Sequence, residues 1–368
     1  MSTRLLSGGG NGVLVTGGAG FIGTNLVDSL LADGKEVIVF DNLSRNGVER
    51  NIEWLRRKHG DRIRLWLEDI RDEDAVRSAV ASVSEVYHFA AQVAVTTSFI
   101  DPVADFEINL RGTLNILEAA RTRNDPPSIV FTSTNKVFGN LCTVPLIIRE
   151  NRYEPLNDGL CERGIAESQG LDFHSPYGCS KGGADQYVLD YARSFGLATV
   201  VFRMSCIYGP HQMGTEDQGW VAHFLISAME GRPITLYGDG MQVRDILYVD
   251  DLVRALRTAQ QNARTLSGRA FSVGGGPANA ITLRDLLERI ALITGHVPSV
   301  SYAHWRRGDQ KYFVADTSAI RRATGWKPRV GVNAGIRQLH EWLTKEGEVS
   351  ESLALETVRK ELTVWNGT

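Results

Sequence analysis

Tyr177 and Lys181 stand four residues apart, a spacing that can support proton transfer. On a helix, residues at this spacing lie on one face, so the Lys181 ammonium would lie near the Tyr177 phenol and favour its ionised form. A phenol ionises by itself only near about pH 10. With its pKa lowered by a neighbouring cation, Tyr177 can remove a proton from a hydroxyl group while a hydride leaves the same carbon. Ser175 and Pro176 precede the pair and are expected to start the helix.

A glycine-rich turn near the N-terminus could hold a dinucleotide. Gly17, Gly20 and Gly23 lie between the first predicted strand and the first predicted helix. Glycine at these positions allows a tight turn, lets backbone N–H groups approach a pyrophosphate, and lets the helix pack closely on the strand. Asp41 ends the second predicted strand, where a carboxylate accepts hydrogen bonds from the adenosine ribose. We therefore predict NAD as the cofactor, because a carboxylate at this position would repel the 2′-phosphate of NADP.

The elements that must position these residues alternate between short β-branched runs and amphipathic stretches. This pattern predicts an α/β fold, a Rossmann-type doubly wound parallel sheet. The predicted strands are Val13–Thr16, Glu36–Asp41, Ile63–Leu67, Val86–Phe89, Ile129–Ser133 and Thr199–Arg203. The predicted helices between them are Ile22–Leu31, Asp72–Val83, Pro102–Arg121 and Ser180–Phe195.

After Gly209 the alternation loosens, which predicts a smaller α/β substrate-binding lobe. Its expected elements are helices at Gly219–Glu230, Leu283–Thr294 and Val332–Thr344 and a strand at Asp245–Val249. We assign residues 11–208 and 239–262 to the NAD-binding domain, 209–238 and 263–350 to the smaller lobe, and 351–368 to a C-terminal tail. Leu141–Gly170 is polar and broken by proline and glycine, and we predict a long loop there. Glu346–Thr368 is predicted as a solvated helix with no chemistry.

Composition excludes several classes of function. The chain has 368 residues, of which 43% are hydrophobic and 23% charged, with 40 basic against 43 acidic residues. Without a basic excess, no nucleic-acid partner is expected. No run approaches the ~18 consecutive apolar residues of a membrane helix, and the N-terminal residues show no secretory signal, so we expect no membrane partner and a cytoplasmic protein. The four cysteines form no Cys-x-x-Cys pair, and neither a metal site nor a disulfide framework is predicted.

The glycine spacing and the Tyr-x-x-x-Lys pair together resemble the extended form of the short-chain dehydrogenase/reductase superfamily. The resemblance implies that NAD is the cofactor and that Tyr177, Lys181 and Thr134 are catalytic, with the Thr134 hydroxyl hydrogen-bonding the reacting oxygen. The cofactor-binding positions that it implies are Gly17, Gly20, Phe21, Ile22, Gly23, Asp41, Asn42, Ser44, Arg45, Asp69, Ile70, Phe89, Ala90, Ala91, Asn109, Tyr177 and Lys181.

The two residues after Thr134 bear on the reaction type. Nucleotide-sugar 4,6-dehydratases of this superfamily carry Asp-Glu there, because elimination of water needs an acid and a base beyond the tyrosine. This chain carries Asn135 and Lys136. The residues therefore argue against dehydration and for a cycle of oxidation and reduction.

Later motifs resemble the nucleotide-sugar branch of the superfamily. These are the Arg203-x-x-x-x-Tyr208-Gly209-Pro210 and Arg306-Arg307-Gly308-Asp309 segments. The resemblance implies that Arg244, Arg306 and Asp309 hold a nucleoside diphosphate, for which a guanidinium fork is suited. Other residues expected at the substrate are Gln92, Thr134, Asn135, His174, Arg203, His211, Gln212 and Gln218.

Longer runs resemble the CDP-paratose 2-epimerase group, also called the CDP-tyvelose epimerases, from about Gly12 to Leu343. They include Asp41–Arg45, Ala91–Ser98, Ser133–Val137, Leu171–Lys181 and Asp217–Val221. The resemblance implies oxidation at C2 of a CDP-hexose, reduction from the opposite face, and retention of NAD. It also implies a homodimer or homotetramer.

Two alternatives use the same fold. A UDP-hexose 4-epimerase would need the same Thr134, Tyr177 and Lys181 with a different ring pose. A non-catalytic NAD-binding protein would share the fold without activity, although such proteins commonly lose the tyrosine or the lysine and this chain keeps both. Inversion at C4 of a UDP-hexose would identify the 4-epimerase. NAD binding without epimerisation of any nucleotide sugar would identify the non-catalytic protein.

Overall fold

The computed structural model describes residues 12–345, and seven parallel strands form its central sheet. The strands of the described residues are β1 (Gly12–Thr16), β2 (Val37–Asp41), β3 (Ile63–Leu67), β4 (Val83–His88), β5 (Ser128–Thr134), β6 (Leu146–Arg149), β7 (Arg152–Pro155), β8 (Thr199–Met204), β9 (Cys206–Tyr208), β10 (Ile234–Tyr237), β11 (Val243–Tyr248), β12 (Arg269–Val273), β13 (Ala280–Thr282), β14 (Val300–Ala303) and β15 (Tyr312–Phe313). The central sheet has the order β12-β8-β5-β4-β1-β2-β3. Chain order reverses between β1 and β4, which makes their carboxyl ends the expected place for a ligand.

Helices cover both faces of this sheet, because its central strands are apolar on both sides. The helices are α1 (Phe21–Ala32), α2 (Val48–His59), α3 (Glu73–Val80), α4 (Val95–Ile100), α5 (Pro102–Phe106), α6 (Gly112–Arg121), α7 (Asp158–Arg163), α8 (Ser175–Phe195), α9 (Trp220–Met229), α10 (Val249–Gln261), α11 (Leu283–Thr294), α12 (Ser318–Thr324) and α13 (332–345). One core cluster joins α1, α2 and α10 to the sheet, and a second joins α3, α6 and α8 to its other face. The predicted doubly wound α/β fold is confirmed.

The smaller lobe has its own core. Apolar residues of α9, α11 and α13 pack there on β10 and β11. Strand β11 pairs with β9 and β15 in parallel and with β13 in antiparallel orientation. None of the helices within residues 12–345 combines the length and the apolar character needed to cross a bilayer.

Several predicted boundaries were wrong. The helix expected over Asp72–Val83 ends at Val80, because Val83 begins β4. The helix expected over Pro102–Arg121 contains a π-helical turn at Glu107–Arg111. Helix α8 begins at Ser175, as expected from Ser175 and Pro176, and not at Ser180 as in the predicted helix range, so its first turn already carries Tyr177. Leu283–Thr294 agrees with the prediction residue for residue.

Leu141–Gly170 is not the unstructured loop that we predicted. It contains the antiparallel hairpin of β6 and β7 and the short helix α7. The hairpin was missed because its strands are only four residues long and carry charged residues such as Arg149 and Arg152.

The domain division disagrees with the sheet topology at two strands. Strand β12 was assigned to the smaller lobe, but it pairs with β8 and is the seventh strand of the central sheet. Strand β11 was assigned to the NAD-binding domain, but its partners belong to the smaller lobe's sheet. The chain therefore crosses between the lobes more often than the predicted boundaries allow. The tail at 351–368 and the predicted helix at Glu346–Thr368 lie outside the described residues.

Candidate active site

A pocket of about 680 Å³ opens at the carboxyl ends of β1, β4 and β5. A volume of this size suits a cofactor or a large ligand. Its floor is formed by the turn after β1 and the segments after β4 and β5, and Thr215–Val221 of the smaller lobe forms the opposite wall. The pocket therefore lies at the reversal of strand order, between the two lobes.

The turn after β1 packs closely against neighbouring backbone because glycine stands at its tightest positions. Gly17 has φ of +68°, and a Cβ there would lie 2.7 Å from the Ala90 backbone nitrogen. A Cβ on Gly23 would lie 2.3 Å from the Gly17 carbonyl oxygen. Both glycines thus let the N-terminus of α1 approach β1 and face the pocket, as a pyrophosphate requires.

Asp41 lies on the pocket wall at the end of β2. Its carboxylate accepts hydrogen bonds from the backbone N–H groups of Ala19 at 3.0 Å and Leu43 at 2.9 Å. Burial raises the pKa of Asp41, while these hydrogen bonds and the charge of Arg45 oppose the shift. The carboxylate is therefore fixed in place where the predicted ribose contact needs it.

Every predicted cofactor residue except Asn109 lines this pocket. The lining set is Gly17, Gly20, Phe21, Ile22, Gly23, Asp41, Asn42, Ser44, Arg45, Asp69, Ile70, Phe89, Ala90, Ala91, Tyr177 and Lys181. The glycine cradle and the Asp41 carboxylate occur together in one elongated cavity, so the residues present fit a bound NAD.

Asn109 stands behind the pocket wall, contrary to the prediction. It lies in the π-helical turn, where its side chain accepts from the Gln92 backbone N–H at 2.9 Å and donates to Ser180 Oγ at 3.0 Å. Ser180 donates to the fully buried Asp105 carboxylate at 2.5 Å, and the Gln92 side chain donates to the same carboxylate at 2.8 Å. This network holds the first turns of α8 against the segment after β4.

Tyr177 and Thr134 meet at the pocket floor. The Thr134 hydroxyl lies near the Tyr177 phenol and lowers its pKa, but burial is the larger effect and raises that pKa to about 12. The predicted lowering by Lys181 is not found, because the influences on this pKa are burial, the Thr134 hydroxyl and the charge of Asp105. The phenol is therefore protonated at neutral pH until a ligand changes its surroundings.

Lys181 shares the face of α8 with Tyr177, as the spacing predicted. Its ammonium lies over the Phe131 ring, 4.2 Å from the ring centroid. Burial lowers the pKa of Lys181 to about 7, while the charges of Asp185 and Asp105 raise it. Lys181 is thus poised to change protonation state near neutral pH.

The residues predicted to hold a diphosphate adjoin the pocket rather than line it. Arg244 donates to the Asp309 carboxylate at 2.8 Å, and Lys136 lies 3.5 Å from the same carboxylate oxygen. The cluster adjoins the pocket at Cys206, which is one of the lining residues. Burial raises the pKa of the Cys206 thiol, and the charges of Arg244 and Lys136 partly oppose this shift. Asn135 is buried beside it and donates to Gln310 at 3.2 Å.

A loop of the smaller lobe joins the two ends of the pocket. Arg306 lies 3.3 Å from the Asp217 carboxylate and 3.6 Å from that of Glu216. Gln218 lines the pocket and accepts a hydrogen bond from Arg45, across the opening from the end of β2. The predicted substrate residue Gln218 therefore contacts the cofactor side, and Gln212 and Gln92 also line the pocket as expected.

Three predicted substrate residues lie elsewhere. Arg203 is buried and donates two hydrogen bonds of 2.9 Å to the Asp185 carboxylate. A buried guanidinium needs such a charged partner to offset its loss of hydration. His211 packs between the rings of Trp54, at 4.1 Å, and Trp342, at 5.1 Å. His174 pairs with Asp172 at 2.9 Å outside the pocket.

Sequence reasoning missed two charged groups beside the site. Asp105 has no motif of its own, and its role depends on packing of α5 against α8. Lys136 was noted only as a departure from Asp-Glu, although its spacing from Thr134 was a usable signal. The Trp220 indole was also missed as a site residue, and it donates to Cys206 Sγ at 3.3 Å on the pocket wall.

Comparison with known proteins agrees with this geometry. The family model described as GDP-mannose 4,6 dehydratase matches residues 14–339. The chain belongs to that family. A CDP-paratose 2-epimerase from Salmonella typhi is 42% identical over 343 residues, which cover 90% of this chain and 98% of the relative.

Solved structures of the family share the fold. The UDP-glucose 4-epimerase of Thermotoga maritima, solved with UDP-glucose, has a TM-score of 0.77 and 30% identity, covering 91% of this chain and 99% of that one. The Thermus thermophilus UDP-glucose 4-epimerase, solved with NAD, has a TM-score of 0.74 and 35% identity, covering 90% and 98%. Relatives in the family are epimerases and dehydratases of nucleotide sugars. The predictions of an enzyme and of NAD as its cofactor are confirmed at the level of the family.

Proposed function

We propose that this protein is an NAD-dependent epimerase that inverts C2 of a CDP-hexose, of the CDP-paratose to CDP-tyvelose type. The main support is the identity of the residues after Thr134, where Asn135 and Lys136 stand in place of an acid and a base for dehydration. The 42% identity over 98% of a CDP-paratose 2-epimerase supports the same choice of substrate.

The residues that would hold NAD are those of the glycine turn, Asp41 and the segment after β4. The N-terminus of α1 would bind the pyrophosphate, and the Asp41 carboxylate would accept from the adenosine ribose. NAD, when bound, supplies a site that accepts a hydride and gives it back within one cycle, so none is consumed.

Tyr177 would carry the proton. Its phenolate oxygen removes the proton from the sugar O2 while the C2–H bond breaks, and the phenol later returns that proton to O2. The Thr134 hydroxyl donates a hydrogen bond to the same oxygen as it becomes a carbonyl. Lys181, when protonated, stabilises the phenolate, and the nearby cationic ring of the cofactor adds to this effect.

Inversion requires the 2-keto sugar to present its other face before it is reduced. The diphosphate would stay held by Arg244 and Arg306 during this turn, as a tether at C1. Asp309 would orient the Arg244 guanidinium rather than meet the phosphates, because like charges repel. Asn135, Gln92 and Gln212 would contact the sugar or the base.

The remaining assignments belong to the same proposal. The larger lobe carries the cofactor and the smaller lobe the nucleotide sugar, with β11 and β12 reassigned as described above. A homo-oligomer and a cytoplasmic location remain predictions.

The proposal is tested by proton NMR of the purified protein with CDP-paratose, CDP-tyvelose and UDP-glucose in separate tubes, without added NAD. Interconversion of the two CDP-sugars is the expected result, and it would also reveal a resident cofactor. Inversion at C4 of UDP-glucose with no change in either CDP-sugar would instead identify a UDP-hexose 4-epimerase. No epimerisation in any tube, with NAD found in the denatured protein, would point to a non-catalytic NAD-binding protein.

A further inference from the structure

Lys136, Arg244 and Asp309 form a partly buried cluster with unequal charges. The Lys136 and Asp309 side chains are each 22% exposed and Arg244 is 8% exposed. Burial raises the pKa of Asp309, but the charges of Arg244 and Lys136 outweigh it and hold that pKa below its usual range. Two cations thus share one carboxylate, which leaves a positive charge without a partner in this part of the described structure.

A charge left over at a site mostly shielded from solvent favours an anionic ligand. Burial of an uncompensated cation is costly, and a phosphate oxygen would relieve that cost by a charge-assisted hydrogen bond. Arg244 keeps only part of its donor set for a ligand, because it also donates to the Gln310 carbonyl at 2.5 Å and to the Val243 carbonyl at 2.8 Å. The Lys136 ammonium has weaker contacts, at 3.3 Å to the Gly308 carbonyl and 3.5 Å to Asp309. Lys136 is therefore the member free to turn toward a ligand.

The backbone fixes Lys136 relative to the reacting atoms. Its N–H donates to the Thr134 hydroxyl oxygen at 3.2 Å, within the helical turn that follows β5. Gln310 clamps the same turn by donating to the carbonyl oxygens of Asn135 at 3.3 Å and Gly139 at 2.7 Å. One short turn thus presents both the catalytic hydroxyl and the weakly held ammonium of Lys136.

We propose that Lys136 binds the sugar-proximal phosphate of the nucleotide sugar and thereby determines which ring carbon faces Thr134 and Tyr177. The inference rests on the proposed function and deepens it. In a nucleotide sugar that phosphate is attached to C1, which is bonded to C2 and lies across the ring from C4. A cation two residues from the catalytic threonine holds the phosphate close to the reacting carbon, which suits C2 and disfavours C4.

The test compares ligands that differ by one phosphate. Isothermal titration calorimetry would measure cytidine, CMP and CDP binding to the holoenzyme and to K136M, K136R and K35M. Lys35 pairs with Glu85 on the surface at 3.1 Å, so K35M makes the same change of charge far from the pocket. In K136M we expect CDP to bind about 10-fold more weakly, with the cytidine and CMP affinities unchanged. K136R should recover most of the loss.

Equal losses for CMP and CDP, or no loss for CDP, would overturn the proposal, because Lys136 would then not meet the second phosphate. A CDP loss of the same size in K35M would also overturn it. The NAD content and melting temperature of each variant identify folding failure, and K136R still tests the contact if K136M does not fold.

The failure of the proposed function has a different signature. Calorimetry with CDP needs no turnover, so the phosphate contact can be present in a protein that inverts C4 of UDP-glucose. In that outcome Lys136 binds phosphate but does not select C2, which would overturn the second half of the inference. When C2 is inverted, K136M should lower kcat as well as raise KM, because a loosened C1 phosphate misplaces C2.

Discussion

At the scale of single residues, Tyr177 meets two opposed requirements. A buried phenol packs well beside Thr134, yet burial raises its pKa to about 12 and so opposes the ionised form that catalysis needs. The cationic groups expected around it in the working enzyme are Lys181 and the oxidised cofactor ring. Substrate binding and proton removal are therefore coupled through charge.

Tyr177→Phe should lower kcat by about 100-fold to 10,000-fold, because the proton on the sugar hydroxyl loses its acceptor. NAD content should stay near one per chain, since the ring still packs beside the pocket. The measurement is turnover by NMR together with nucleotide release on denaturation. Tyr187→Phe is the matched control, since Tyr187 lies on the same helix and is 45% exposed. Near-normal turnover of Tyr177→Phe would remove its assignment as the base.

Asp41→Asn should weaken the preference for NAD over NADP by about 10-fold, because the repulsion of a 2′-phosphate depends on the carboxylate charge. The amide oxygen can keep one of the backbone contacts to Ala19 and Leu43, so the fold should survive. The experiment is refolding in an equimolar mixture of both nucleotides, followed by analysis of the bound fraction. Arg45→Ala should strengthen the preference for NAD over NADP, because it removes a positive charge that would attract the 2′-phosphate. An unchanged ratio in Asp41→Asn would show that the carboxylate does not select the cofactor.

Sequence predicted the residues whose roles depend on local geometry. The glycine turn and Asp41 follow from one strand, one turn and one helix, and all of them line the pocket. His211 and Arg203 were misassigned because their environments are set by distant partners, Trp342 and Asp185. Such pairings depend on how separate elements pack, and a single sequence carries no record of that.

At the scale of elements, the strand pattern explains what was predicted and what was missed. Strands β1, β2 and β5 each contain at least three consecutive apolar residues and were found within one residue of their ends. Strand β12 begins with the exposed Arg269 and lies at the sheet edge, so its apolar signal is short. The π-helical turn has no sequence signature here, and it places Asn109 on Ser180 instead of in the pocket.

His88 ties three elements together in its neutral form. The Thr113 hydroxyl donates to the Asn109 carbonyl at 2.6 Å and so accepts from His88 Nε2 at 3.0 Å. The Thr16 hydroxyl accepts from two backbone N–H groups, those of Phe89 and Ala90, and so donates to His88 Nδ1 at 2.7 Å. The network has no acceptor for a second ring proton. Burial, together with the charge of Lys181, lowers the pKa of His88 to about 3.

This arrangement predicts an acid-sensitive fold. The unfolded chain binds the His88 proton at about pH 6.5, whereas the folded protein resists it down to about pH 3. The stabilisation is therefore complete above the unfolded pKa and is lost as pH falls through this window. His88→Gln should make the unfolding free energy less dependent on pH, by about 1.4 kcal/mol per pH unit between pH 5.5 and 4.5. Urea unfolding of both proteins at several pH values measures this dependence. Parallel slopes for the two proteins would contradict the assignment. His211, whose pKa burial also lowers, is present in both.

At the scale of the whole molecule, one apolar surface stands out beside the catalytic helix. Helices α4 and α5 both pack against α8. Their outer faces expose Phe99 at 47%, Ile100 at 84%, Val103 at 69% and Phe106 at 47%. A contiguous apolar surface of this kind marks a protein interface more often than a solvent-facing helix. We therefore expect the predicted homo-oligomer to form through this surface of α4 and α5.

Ile100→Glu combined with Val103→Glu should therefore shift the protein to a monomer, because two charges would be buried without partners in an isologous interface. Sedimentation velocity across a range of concentrations measures the change. Leu292→Glu is the control, since Leu292 is 85% exposed on α11, in the smaller lobe. The same network of Asp105, Asn109 and Ser180 joins this surface to the catalytic helix, so the monomer should also lose turnover while keeping its NAD. A wild-type protein that sediments as a monomer at every concentration would refute the interface.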